Sequence, residues 1–551
     1  MKYITIVASA LAVTLQGHAQ TVQPKDTTLN RTVVVEQEYI PEVMDASKIN
    51  MLPEVTPPAG THSKVQYDET KHPASRMPAA LMPSFSAEEM VGQPQPGIVQ
   101  LGYGSLGALK AMAAYRFRLS KHDQLGLSLS SQGHKGTLDL PEACVIPQGV
   151  SEWNSHAYHT EAHMDYAHLF NSTELHVGGK LGVTNFALLP SDKFGRQRFT
   201  QGGLTLGLQS SEAYEGTVQY RSEVALEFFG RKNDALDTPL KETHLRVIGE
   251  AWAPISSKQT VSVGVKVNQY IYPKECYKSQ TTVTLNPTFG YSDGAWNLRA
   301  GLFTDLAFAF GKKFQVAPDL SAEYSTGSHL LYAHVTGGRI SNDFRRLEYL
   351  SPYTLLSDTQ WDATYEQLNA SIGWRGSPAA DFKLHLYGGY QRLRNDLTPY
   401  LGNSILSSDT YPFRCQLIGV NTQNLYVGAS ADYSYRQLIG FHLSARYRNW
   451  KEIKQLENPL FQPELEMEAR IDANPLRDLK LSVGYIHTSY TESLYKEASN
   501  LSVRGNYTLN EVWSGLDIWV EGHNLLNQSY MCYPAVPALG IQVMGGVSLR
   551  F

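Results

Sequence analysis

The chain has 551 residues, 42% of them hydrophobic, and a formal net charge of −5 from 47 Lys and Arg against 52 Asp and Glu. This near balance, with no Lys/Arg cluster, argues against nucleic acid as a partner. The four cysteines, Cys144, Cys276, Cys415 and Cys532, lie too far apart for a zinc ribbon or a C-x-x-C redox pair, and neither G-x-S-x-G nor H-E-x-x-H occurs, so no enzyme activity, cofactor or resident metal is expected.

Met1-Lys2-Tyr3 precedes an apolar run from Ile4 to Leu15, followed by Gly17-His18-Ala19. The run is shorter than the roughly 20 residues that a spanning helix needs, and Gly17 and Ala19 are small residues of the kind that signal peptidase reads. Residues 1–19 are therefore expected to be a secretory signal peptide cleaved after Ala19. Residues 20–95 are Pro-rich with few apolar side chains, a composition that favours extended chain over a packed core. Within them, Thr32-Val33-Val34-Val35-Glu36 is a short β-prone run.

From about residue 97, stretches of about ten residues with apolar/polar alternation follow one another, separated by turn residues, and helical periodicity is hard to find. In "HAYHTEAHMDYAHLF" (156–170), His159, Glu161, His163 and Asp165 share one face of a strand, and Tyr158, Ala162, Met164, Tyr166 and Phe170 share the other. At about 3.3 Å rise per residue, His159 and His163 stand roughly 13 Å apart, too far to grip one ion. The split recurs in 217–229, 261–268 and 382–390. In "FHLSARYRNW" (441–450), Phe441, Leu443, Ala445 and Tyr447 oppose His442, Ser444, Arg446 and Arg448, while in "ELEMEARIDAN" (464–474) Leu465, Met467, Ala469 and Ile471 oppose Glu464, Glu466, Glu468 and Arg470. Cross-strand pairing of those arginines with the glutamates is expected. The last stretch, "LGIQVMGGVSLRF", puts Leu539, Ile541, Val543, Val547, Leu549 and Phe551 on one face and Gln542, Ser548 and Arg550 on the other.

A soluble sandwich also alternates. A long unbroken series of strands, with aromatic residues on the apolar face and charges opposite, instead describes an outer-membrane barrel that is wrapped by lipid and polar within. Short connections (such as 120–124, 171–172 and 256–259) largely alternate with long ones (139–150, 233–241, 343–361, 395–413 and 451–462). The count predicts an all-β, transmembrane, antiparallel barrel of about 22 strands over residues 96–551, with His159, Glu161, His163, Asp165, Arg446, Arg448, Glu466 and Glu468 lining the lumen. All four cysteines fall on the long-loop side, and their pairing stays open.

The final hairpin resembles the end of TonB-dependent outer-membrane receptors, in which a phrase like E-G-x-N-L-x-N-x-x-Y, here Glu521, Gly522, Asn524, Leu525, Asn527 and Tyr530, precedes a last strand that ends on Phe. The style is that of the Bacteroidetes branch. The resemblance implies a Gram-negative outer-membrane location and transport, with the run Thr32, Val33, Val34, Val35 and Glu36 similar to the Ton box offered to TonB for strand addition. It further implies a surface lipoprotein as a second partner. Residues 20–95 are too few for the family's usual plug domain, which leaves open a second reading: a plugless barrel that scaffolds or assembles periplasmic or surface partners. Tyr349, Tyr353, Trp361, Tyr400, Tyr411 and Phe413, in the long loops, are candidates for ligand capture, or else for a girdle at the lipid interface.

Overall fold

The computed structural model describes residues 96–551, less 141–149, 191–194, 212–213, 215, 234–238, 274–276, 357–359, 404–412, 437, 452–459 and 510–514. The expected leader, the Pro-rich stretch and the run Thr32–Glu36 lie outside the described residues, as do Cys144, Cys276 and Tyr411. One 22-stranded antiparallel sheet makes up the described chain. Its strands are β1 (Gly97–Gly104), β2 (Leu109–Arg118), β3 (Asp123–Asp139), β4 (Glu152–Leu169), β5 (Thr173–Ala187), β6 (Arg196–Ser210), β7 (Gln219–Arg231), β8 (Leu240–Pro254), β9 (Gln259–Ile271), β10 (Gln280–Ser292) and β11 (Trp296–Phe308). They continue as β12 (Phe314–Thr326), β13 (His329–Ile340), β14 (Thr364–Ala379), β15 (Phe382–Asn403), β16 (Phe413–Tyr435), β17 (Ile439–Lys451), β18 (Pro463–Leu476), β19 (Leu479–Tyr490), β20 (Ala498–Thr508) and β21 (Leu516–His523). After the two-strand hairpin β22 (Met531–Tyr533) and β23 (Val536–Pro537), the last strand, β24 (Gln542–Arg550), pairs with both β21 and β1 and closes the barrel.

The closing seam is tight. Ile98 stands opposite Arg550 and Gly104 opposite Met544, and Gly97 and Phe551 exchange two backbone hydrogen bonds of 2.9 and 3.0 Å. Across the inner surface of the seam lies the indole of Trp519, only 1% exposed. A Cβ on Gly102 would come within 2.3 Å of that indole, and one on Gly546 within 2.1 Å of the Leu101 carbonyl oxygen, so only glycine lets the ring and the strands approach this closely. Lys110 and Arg504 sit over the ring at 5.3 Å each, and the Glu521 carboxylate accepts from both, at 3.2 and 3.1 Å.

Alternation places the two faces. Ile518 and Val520 flank Trp519 and are exposed on the barrel's exterior, where Leu181, Leu204 and Val427 are also among the most exposed apolar side chains. Such a continuous apolar exterior on a closed barrel is the signature of a lipid-facing wall. On the inner side charges pair across strands: Arg446 stands opposite Glu466 and donates to it at 2.7 Å, Arg448 lies 3.7 Å from the same carboxylate, and Arg246 donates to Glu223 at 2.8 Å. The expected pairing of arginines with glutamates is therefore present.

Three expectations need correction. Residues 395–403, read as loop, continue β15, because β15 and β16 run far beyond their neighbours and pair as far as Asn403 and Phe413. Asn395, at φ 52°, absorbs the register shift between Leu393 and Asp396. A helix, α1 (Phe344–Leu350), occupies the connection between β13 and β14. Leu539 does not join the lipid face, because β24 begins only at Gln542 and Leu539 packs instead on a buried cluster with Met531 and Val536.

Met467 is exposed on the exterior and Glu466 lies inside against Arg446. Met467→Arg is expected to cost about 2–4 kcal/mol if it sits near the bilayer midplane, and Glu466→Gln little, since the amide still accepts a hydrogen bond. Gly546→Val is expected to prevent closure. Migration of unheated against heated protein on gels separates these outcomes.

Candidate functional site at the outer mouth

Both ends of the described barrel, Gly97 and Arg550, lie on the side of the short turns, so the long connections share the opposite rim. At that rim the connection between β13 and β14 folds inward. Asp343 caps α1 by accepting from the Arg346 amide at 2.8 Å, and Phe344, Leu347 and Leu350, spaced by three, form one buried face. Phe344 packs on Tyr272 and Tyr277, both at 5.3 Å, and on Phe229 at 6.5 Å. The same cluster takes in Phe186, Phe199, Leu240 and Tyr270 from β5, β6, β8 and β9, and Leu397 and Leu417 from β15 and β16.

Polar contacts fix the segment to the wall. Arg345 meets Glu227 of β7 at 2.5 Å, where that carboxylate already binds Lys180 at 2.6 Å and His244 at 3.3 Å. Arg346 lies 3.6 Å from Asp396 of β15. The Phe344 amide and the Tyr272 hydroxyl donate to Glu242 at 3.0 and 2.8 Å, and Arg231 donates to the Thr354 carbonyl at 2.7 Å. Further along, Ser351 donates to the Cys415 sulfur at 2.9 Å and Thr354 to the Cys415 carbonyl at 3.1 Å. Burial raises the Asp343 carboxyl above its ordinary range, and it pushes the half-buried Glu348 up to about 7, with Arg231 and Arg345 pulling it back.

A second cluster lies beside the first and joins Trp153 of β4, Leu401 of β15, Phe461, Tyr490 of β19, Tyr495 and the β22–β23 hairpin. Tyr353 borders both clusters, with its ring 5.9 Å from Trp153, 5.1 Å from Phe186 and 5.8 Å from Tyr533. β4 and β15 are eleven positions apart in a ring of 22, on opposite walls. A barrel of this size is roughly 40 Å across at a strand spacing of about 4.8 Å. No side chain reaches that far, so the connections themselves span the mouth.

The residues singled out from the sequence fall into this frame unequally. Tyr349, Tyr353 and Trp361 come together in the packed clusters. Tyr400 stands apart, donating to Gln416 at 2.7 Å and bridging to Leu460, and Phe413 opens β16 opposite Asn403. On β4, His159 bonds Thr184 at 2.8 Å, and Glu161 lies 3.3 Å from both His159 and His163. Asp165 stands between Gly126 and Gly178, and Glu468 between Ser444 and Ile486. Among the described residues no three His, Cys, Asp or Glu converge as metal ligands. Cys415 and Cys532 are free thiols, and burial pushes that of Cys532 up to about 12. The terminal phrase is a turn device: Asn524 and Asn527 both take φ 48°, Asn524 donates to the carbonyls of Gln528 and Leu539, and buried Tyr530 accepts from Asn500 at 3.3 Å.

The sequence places Glu227 on the polar face of its strand without marking its role at the mouth, and it does not single out Arg231, Arg345, Arg346, Glu348 and Asp396. The available signal was "DFRRLEYL", an N-cap followed by apolar residues every third position, too short to register as helical periodicity.

Because the folded Glu348 carboxyl titrates at about 7 against 4.5 unfolded, the seated segment holds a proton that the released one gives up. Seating is therefore favoured below pH 4.5 and loses ground as pH rises to 7. Hydrogen exchange of residues 344–356, corrected for intrinsic rate, is expected to show protection falling across that window, and Glu348→Gln should reduce the dependence, leaving the part that the buried Asp343 carboxyl contributes.

No family profile matches the chain, and no curated protein matches it by sequence. Solved structures share its fold. The FrpB iron transporter of Neisseria meningitidis (F3-3 variant) superposes with a TM-score of 0.61 at 10% identity, over 83% of this chain and 82% of that one. For a mutant of the ferric enterobactin receptor PfeA of Pseudomonas aeruginosa the values are 0.63, 11%, 84% and 81%, and for the siderophore receptor PirA of Acinetobacter baumannii 0.62, 10%, 84% and 81%. At these identities the likeness is one of fold: the chain has a barrel like those of iron and siderophore receptors.

Proposed function

We propose that the protein is a transport barrel of the Gram-negative outer membrane, resembling TonB-dependent receptors, and that it passes a bulky solute through its lumen. The observation that carries this reading is the contrast along the wall. The lumen is lined by paired charges such as Arg446 with Glu466 and Arg299 with Asp319, as a wet passage requires, whereas its outer mouth is spanned by apolar packing around α1. A passage that is polar within and obstructed at one end serves a solute whose binding opens it. Iron or siderophore uptake, named for the structures of similar fold, is the first substrate class to try.

In this reading Thr32 to Glu36 is the strand offered to TonB, a surface lipoprotein helps to cover the mouth, and the outer connections packed around α1 gate it. The aromatic residues of the mouth, Tyr349, Tyr353 and Trp361, would then respond to ligand by giving up their packing.

Two experiments test this. Deleting residues 32–36 is expected to abolish capture of the chain by the purified periplasmic domain of TonB and to abolish growth on ferric siderophores under iron limitation, with surface display unchanged. If uptake persists and a different periplasmic protein is lost on co-purification, the scaffold reading replaces this one. In planar bilayers the parent is expected to conduct little, and a variant in which residues 343–361 are replaced by a short Gly/Ser linker to conduct in large steps.

A further inference from the structure

The exterior of the wall formed by β4 to β7 carries a cationic cleft. The alternation that turns Gln197, Phe199 and Arg231 inward turns Arg196, Arg198 and Lys232 outward, in step with Leu204 on β6 and Phe228 on β7, which are exposed on the lipid-facing surface. On β4, His156 shares the face of exposed Met164, and on β5, Asn185 shares the face of Leu181 and Val183. Arg196, Arg198, Lys232, His156 and Asn185, with Asn233 and the neighbouring Gln197, line a cleft of about 310 Å³ at the long-loop rim. Lys135 of β3, opposite His156 in register, adds a further cation beside it.

The cleft is held in shape by its own hydrogen bonds. The Lys232 amide donates to the Arg198 carbonyl at 3.0 Å, and Asn233 donates to the Gln197 side chain at 3.0 Å and to the Arg196 carbonyl at 2.7 Å. Arg198 donates through Nε to Asn185 at 2.7 Å, which leaves the remaining N–H groups of its guanidinium unassigned. No described carboxylate pairs with Arg196, Arg198 or Lys232, although most inner-face arginines of this barrel have one. The described carboxylates on this exterior face at the same rim, Asp139 and Glu152, stand opposite each other four residues further out along β3 and β4, about 13 Å away.

Cations without a carboxylate partner among the described residues, at the upper edge of an apolar band on a wall wrapped by lipid, call for an anion that sits at the headgroup level. We propose that this cleft binds the phosphate-bearing headgroup of an outer-leaflet lipid, whose acyl chains lie against Leu181, Leu204 and Phe228. The forked guanidinium groups of Arg196 and Arg198 match phosphate oxygens two at a time, and Lys232 supplies a third charge. The adjoining apolar wall is what distinguishes a lipid from a soluble phosphate. The inference rests on the membrane placement of the barrel and not on transport, so a barrel that inserts but takes up nothing leaves the test below intact.

The test is native mass spectrometry of the full-length protein in non-ionic detergent, titrated with short-chain phosphatidic acid, with phosphatidylcholine of the same chains, and with inorganic phosphate. One phosphatidic acid is expected to be retained under collision energies that strip phosphatidylcholine. The triple variant Arg196→Gln, Arg198→Gln, Lys232→Gln, whose side chains touch no core, should keep the parent's unheated gel migration and lose at least about tenfold in phosphatidic acid affinity. Equal affinity in the triple variant overturns the site. Complete displacement of the lipid by millimolar inorganic phosphate overturns its lipid source.

Discussion

Closure of the sheet on itself is the constraint from which the rest of this structure follows. In hydrocarbon an unpaired N–H or C=O group costs several kcal/mol, so a sheet with two free edges could not stay there. The β1–β24 ladder removes both edges at once, and the cost of doing so appears in composition: Gly102 and Gly546 give up side chains so that two strands and the Trp519 ring can meet. Once the ring is closed, every residue is committed to one of two faces. The exterior must be apolar, and the interior holds charge beside water or beside a partner across a strand, as Arg550 does with Asp517 at 2.7 Å.

That commitment relaxes where the wall leaves the bilayer. Along the inner face of β7 the side chains run Glu223, Ala225, Glu227 and then Phe229, and along β9 Lys266, Asn268 and then Tyr270. Polar positions give way to aromatic ones within two residues on several neighbouring strands, so the upper lumen becomes an apolar cup. A cup of this kind exposed to water would be costly, at about 25 cal/mol per Å² of apolar surface. The inward fold of the β13–β14 connection is the answer the chain itself supplies, and α1 exists because that cup gives Phe344, Leu347 and Leu350 somewhere to go. A helix of seven residues would not hold alone in water.

This division also explains what was legible from sequence. The strands could be counted because alternation with period 2 is a local property, and in a barrel it must be kept over every crossing of the lipid. The pairing of the arginines of β17 with the glutamates of β18 could be anticipated for the same reason, though not its register. The mouth could not. Its contacts join β4 to β15 and Arg345 to Glu227, pairs far apart in sequence whose partners no local pattern announces. Residues 395–403 misled because "NDLTPYLGN" carries Asn, Pro and Gly, turn residues that here serve a register shift and a strand end. The phrase ending at Tyr530 was legible as a family-like motif, but its role became plain only with the two left-handed asparagines that turn the chain into the last hairpin.

The balance of forces at the mouth bears on how it can open. The ion pairs of Arg345 and Arg346 are conspicuous, yet both are largely buried, and bringing these charges out of water offsets most of their attraction. The three buried apolar residues of α1 contribute roughly 1.5–3 kcal/mol apiece. Packing therefore decides whether the segment is seated, and the charges decide where. Shifting such a segment from 1% to 99% released takes about 5.5 kcal/mol of differential binding. A small ion meeting only Glu227 or Asp396 cannot supply that. An amphiphilic solute that replaces the apolar contacts of Phe344 and Tyr353 can, because it offsets the packing that holds the segment in place.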